Sequence, residues 1–198
     1  MLSQLAALIA FSSCVVSAAD PSSLALVFRD AQPLSSGVDR LFRGETSTGL
    51  QATLRDPGLQ VLWRTGAAFE RGESYERLIV VTFQGDCSLS MGHTRGGRGP
   101  LGLTFVSDGH ILPFIQIDCS RVKDVLARGE AGRHTLLSPE TFARALSHVA
   151  LHEIYHVISN RKHHDSEGLF KAEYSERDLR EPIQVQARAE RSLLSLRR

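Results

Sequence analysis

Hydrophobic and polar positions change period along this chain, and the change separates strands from helices. "RLIVVTFQG" sets Ile, Val, Val, Thr and Phe in succession and is the clearest strand. "LQVLW" is short, apolar and partly β-branched, and predicts another. "LGLTFVSDGHILPFIQIDC" predicts two strands joined at Ser107-Asp108-Gly109-His110, since Asp-Gly suits a tight hairpin turn. Upstream the pattern is weaker. Residues 20–45 mix a short apolar run, "SLALVF", with a turn-rich "AQPLSSG". "STGLQATLRDPG" is weakly helical and stops at Pro57-Gly58.

From Ser138 the period becomes helical. Ser138 can act as N-cap, with Pro139 at the first helical position and Glu140 in the first turn. Apolar residues recur at Phe142, Leu146, Val149, Ala150, Ile154, Val157 and Ile158, which predicts one buried stripe. Asn160, Arg161 and Lys162 end the helix. The tail "REPIQVQARAERSLLSLRR" predicts a further helix from near Pro182. No internal repeat and no long linker interrupts this, so 198 residues read as one domain behind a leader.

Residues 1–19 read as a leader. "LAALIAFSSCVVSA" is apolar and small, and "VSAAD" offers small residues for cleavage after Ala18 or Ala19. The run is too short and soft for a good transmembrane helix, so the mature chain, 20–198, is expected to have no integral membrane segment. The expected location is periplasmic or extracellular. A net charge of +1 supplies no electrostatic case for nucleic acid. Removing the leader removes Cys14 and leaves Cys87 and Cys119. Each closes an apparent strand, and an even pair in an exported chain is a candidate disulfide. The glycines of "SLSMGHTRGGRGPLG" match no phosphate-binding pattern and read as a surface loop.

The chemistry concentrates in "LHEIYHVISNRKHH", which holds four of the eight histidines. His152-Glu153-Ile154-Tyr155-His156 is an HExxH motif inside the long helix. Residues four apart share a helix face, so both imidazoles can reach one Zn²⁺. Glu153 then faces a water at the metal and can serve as its general base. A third ligand is required, and His163, His164 and Glu176 compete for the place. Asp165 could ligate or support a histidine. His148 precedes His152 by four residues. Three histidines stacked on one helix suit a tetrahedral metal poorly, because the outer pair stand two turns, about 12 Å, apart. The metzincin pattern HExxHxxGxxH would want Gly at Ser159, His at Lys162 and a later methionine turn. The two methionines, Met1 and Met91, both lie upstream. Tyr174 and Tyr155 are candidate oxyanion stabilisers, since a phenol can donate to a tetrahedral intermediate.

"VALHEIYHVISN", "HHDSEGLFK" and "TFVSDGHILPFIQIDC" together resemble zincin-like HExxH metallopeptidases, and among them small exported bacterial proteins without an assigned substrate. The resemblance spans roughly residues 58–180. It implies His164 as third ligand, through Gly168-Leu169-Phe170-Lys171 following it, and a sheet rim above the active-site helix that can hold an extended peptide. The expected fold is α+β and zincin-like, a small mixed sheet packed on the long helix that carries HExxH. The expected function is zinc-dependent hydrolysis of peptide bonds in a peptide or protein substrate. Two alternatives stand beside it: a gluzincin-like peptidase with Glu176 as third ligand, and a non-catalytic secreted zinc-binding protein.

Overall fold

A computed structural model describes residues 23–29, 34–66, 75, 77–90, 99–128 and 137–183. The leader expected at residues 1–19 and most of the C-terminal tail helix expected from Pro182 lie outside the described residues. The elements run β1 (Ser23–Arg29), α1 (Ser36–Leu54), β2 (Gln60–Thr65), β3 (Leu78–Gln84), β4 (Gly102–Ser107), β5 (His110–Asp118), α2 (Cys119–Ala127), α3 (Pro139–Ser159) and α4 (Glu176–Arg180), with a 3₁₀ turn at Gly168–Phe170.

The five strands form one sheet in the order β2-β1-β3-β5-β4. Every pairing is parallel except the β4–β5 hairpin, so the sheet is mixed, as expected. The hairpin closes where Asp-Gly placed it. Ser107 pairs with His110, and Asp108 and Gly109 both take positive φ, the geometry of a tight two-residue turn. This leaves β4 as an edge strand.

Three elements differ from the sequence expectation. "SLALVF" is a full strand, β1, buried from Leu24 to Phe28 because it has a neighbour on each side and cover on both faces. Helix α1 begins at Ser36, well before the weakly helical stretch, and ends at a left-handed Arg55 just before Pro57. Cys119 opens helix α2 rather than closing a strand, because the Asp118 side chain accepts from Arg121 N and caps that helix. Cys87 and Cys119 are joined by a disulfide.

The core lies between the sheet and helices α1 and α3. Phe28, Phe42, Trp63 and Phe83 form an aromatic cluster where α1 meets the sheet. Helix α1 packs closely on α3: a Cβ at Gly49 would stand 2.4 Å from Leu151 Cδ1, and Thr46 Oγ1 donates to Ser147 Oγ at 3.1 Å. Ser138 caps α3 by accepting from Thr141 N, and Asn160 ends it at φ 51°. The expected single apolar stripe is too narrow a description. Ser147, His148, His152, Glu153 and His156 are buried as well, so α3 is enclosed on almost every side over its middle turns. A helix that buries this many polar groups must give each a partner.

Candidate metal centre

Helix α3 presents His152 and His156 one turn apart, and the chain beyond it returns to meet them. Left-handed Asn160 turns the backbone, and residues 161–171 form a loop closed by Asp165 N donating to Phe170 O at 2.8 Å. An asparagine suits this position because its short polar side chain tolerates positive φ better than most. The loop brings His164 back over the helix. The ring centroids of His152 and His164 are 5.1 Å apart, those of His156 and His164 5.0 Å, and those of His152 and His156 4.7 Å. One nitrogen from each of the three lies within 4.8 Å of the others.

The outer nitrogens of the two helical histidines are committed. His152 Nδ1 faces Leu169 O at 3.1 Å, and His156 Nδ1 faces Arg161 O at 2.6 Å. A carbonyl oxygen can only accept, so each Nδ1 carries the hydrogen and each Nε2 keeps a lone pair. Both lone pairs point into the site. Burial pushes the His152 pKa down to about 4, which keeps the ring neutral at ordinary pH.

Glu153 lies under the edge strand. Thr104 of β4 donates its hydroxyl to Glu153 Oε2 at 2.6 Å. Burial pushes the carboxyl up to about 7, against the Thr104 hydrogen bond, which favours the charged form. The three histidines, Glu153 and β4 line one cleft of about 340 Å³.

The other candidates fall outside the cluster. His163 is exposed and its neighbour, not it, joins the triad. Asp165 is exposed and its backbone closes the loop. Glu176 opens α4 and pairs with Arg180. His148 Nε2 donates to Glu181 O at 3.0 Å, behind the site. Tyr155 stacks on Phe170 at 3.7 Å between centroids. The Tyr174 hydroxyl donates to Leu169 O and lies 3.1 Å from His152 Nδ1. It also lines the same cleft as the triad and Glu153. Sequence reasoning missed Gly102 and Thr104 on β4 and the carbonyls of Leu169 and Arg161. The carbonyls could not have been found, since every residue carries one.

No family model and no curated protein matches the chain. Among solved structures, archaemetzincin from Methanopyrus kandleri matches it with a TM-score of 0.51 at 16% identity, over 92% of this chain and 98% of that one. At this identity the likeness shows the fold alone, which is zincin-like.

Proposed function

We propose that this chain is an exported zinc metallopeptidase in which His152, His156 and His164 hold the metal and Glu153 is the general base. One observation carries the reading. The Nε2 atoms of His152 and His156 lie 3.0 Å apart, and neither bears a hydrogen. Two facing lone pairs at that distance repel unless a cation sits between them. Two nitrogens each ~2.0–2.1 Å from a tetrahedral zinc would stand about 3.3 Å apart, close to what is found. Neutral imidazoles suit Zn²⁺ among the divalent ions.

A bound zinc ion would polarise the scissile carbonyl and lower the pKa of a nearby water. The rest falls to the chain. Glu153 takes a proton from the attacking water as its oxygen bonds to the carbonyl carbon. It then delivers that proton to the amide nitrogen, the C–N bond breaks, and the amine leaves. Thr104 holds the carboxylate in place for both transfers. Among the described residues β4 has an unpaired edge, along which an extended peptide could add as a further strand.

Export is supported by the Cys87–Cys119 disulfide, because such bonds persist in oxidising compartments. Among the described residues no helix is long and apolar enough to cross a membrane.

The test is the metal content of the purified mature protein by elemental mass spectrometry, alongside digestion of a peptide library. One zinc per chain is expected, lost in His152→Ala and His164→Ala. Glu153→Gln should keep the metal and lose the cleavage. Cleavage that survives Glu153→Gln overturns the mechanism. A parent that binds zinc but cuts nothing leaves a zinc-binding protein instead.

A further inference from the structure

Two cations stand at the rim of the cleft with nothing in the described structure to neutralise them. Arg161 and Lys162 follow the turn at Asn160, are exposed, and line the same cleft as the triad and Glu153. None of the ion pairs among the described residues uses either side chain. Their position is fixed even though their side chains are free, because Arg161 O is the acceptor that orients His156. Among the described residues lining the cleft, Glu153 is the one carboxylate, and it is buried and held by Thr104. The other rim is apolar. Leu103 and Val106 of β4 line the cleft and are 44% and 49% exposed.

We infer that Arg161 and Lys162 form a carboxylate-recognising subsite, and that the preferred substrates are peptides joining apolar residues to a carboxylate close to the scissile bond. The inference rests on the peptidase reading and names its substrate class. Apolar side chains of an extended peptide would cover Leu103 and Val106 and remove their surface from water. A carboxylate would meet a guanidinium fork able to grip both of its oxygens, with an ammonium beside it. A lysine or arginine in the same place would meet two like charges. The carboxylate has two possible sources, an acidic side chain or the peptide's own C-terminus, and the chemistry of recognition is the same for both.

The test measures binding of labelled apolar hexapeptides to the zinc-loaded Glu153→Gln protein by fluorescence anisotropy. The peptides carry Glu, Gln or Lys at one position, each with a free or an amidated C-terminus. A carboxylate-bearing peptide should bind about tenfold tighter than the Gln amide, and the Lys amide more weakly still. Preference that survives amidation assigns the acidic side chain, and preference that needs the free terminus assigns that instead. Arg161→Gln with Lys162→Gln should erase the preference, and Arg161→Glu with Lys162→Glu should turn it toward the Lys peptide. Equal affinities for all peptides, a preference unchanged in these variants, or no binding at all overturns the inference. Failure of the peptidase reading looks different: the parent protein binds with the expected charge preference yet leaves every peptide intact.

Discussion

Gly102 of β4 lies so close to Glu153 that a Cβ at this glycine would stand 2.7 Å from Glu153 Oε1 and 2.7 Å from Val149 Cγ1. The missing side chain is what lets the edge strand cross directly above helix α3. It also gives the carboxylate its place, with Thr104 two residues along the same strand holding the other oxygen. Gly102→Ala should therefore move the Glu153 carboxylate while leaving the histidines alone. We expect bound zinc to be retained and turnover to fall by roughly 10- to 100-fold, the scale of a misplaced reacting group. Zinc content and steady-state kinetics on one sample would check this, and loss of metal would contradict it.

The triad separates two adjacent histidines. His164→Ala should weaken zinc binding far more than His163→Ala, because only His164 reaches the other two rings. Tyr174→Phe removes a hydroxyl beside His152 Nδ1 and should fall between them, with a loss of about 10- to 100-fold. Competition against a zinc chelator of known affinity measures all three. An equal effect at 163 and 164 would mean that the loop does not close as described.

The disulfide ties the end of β3 to the start of α2 across a sequence separation of 32. Closing a loop of that size in the unfolded chain is worth roughly 3–4 kcal/mol. Cys87→Ser with Cys119→Ser should lower the denaturation midpoint accordingly in urea titrations. A midpoint unchanged by the double substitution, or by reduction of the parent, would show that the bond adds nothing to stability.

Beside that bond sits a buried cation. Lys123, 2% exposed, donates to Asp86 Oδ2 at 2.5 Å and to the carbonyls of Ser88 and Ser90. The Lys123 hydrogen bond holds the Asp86 carboxyl at about 2, below its ordinary 3.8. A carboxyl lowered on folding contributes stability that is complete above pH 3.8 and is lost as pH falls toward 2. Asp86 is about half exposed, so the contribution is discounted to about 1 kcal/mol. Urea midpoints of Asp86→Asn and the parent should differ at pH 6 and converge near pH 2. A gap that persists at pH 2 would assign the effect to something other than this charge.

Local chemistry was enough for several elements. The hairpin at Asp108-Gly109 and the bounds of α3 follow from turn and capping residues that act within a few positions of themselves. The same is true of His152, Glu153 and His156, since a helix alone sets the spacing of residues one and four apart. What the sequence left open depends on contacts between distant segments. "SLALVF" became a central strand only because β2 and β3 pair with it on either side. The early turns of α1 are helical against weak propensity, with Val38 and Phe42 buried in the core. The third histidine is the clearest case. His163 and His164 are alike as residues, and the choice between them rests on a left-handed Asn160 and on one backbone bond from Asp165 to Phe170. Thr104 and Gly102 reach Glu153 from 49 and 51 positions away along the chain, through a sheet edge that no local pattern announces. Short-range rules determine which residues can do chemistry, and long-range packing decides which of them meet.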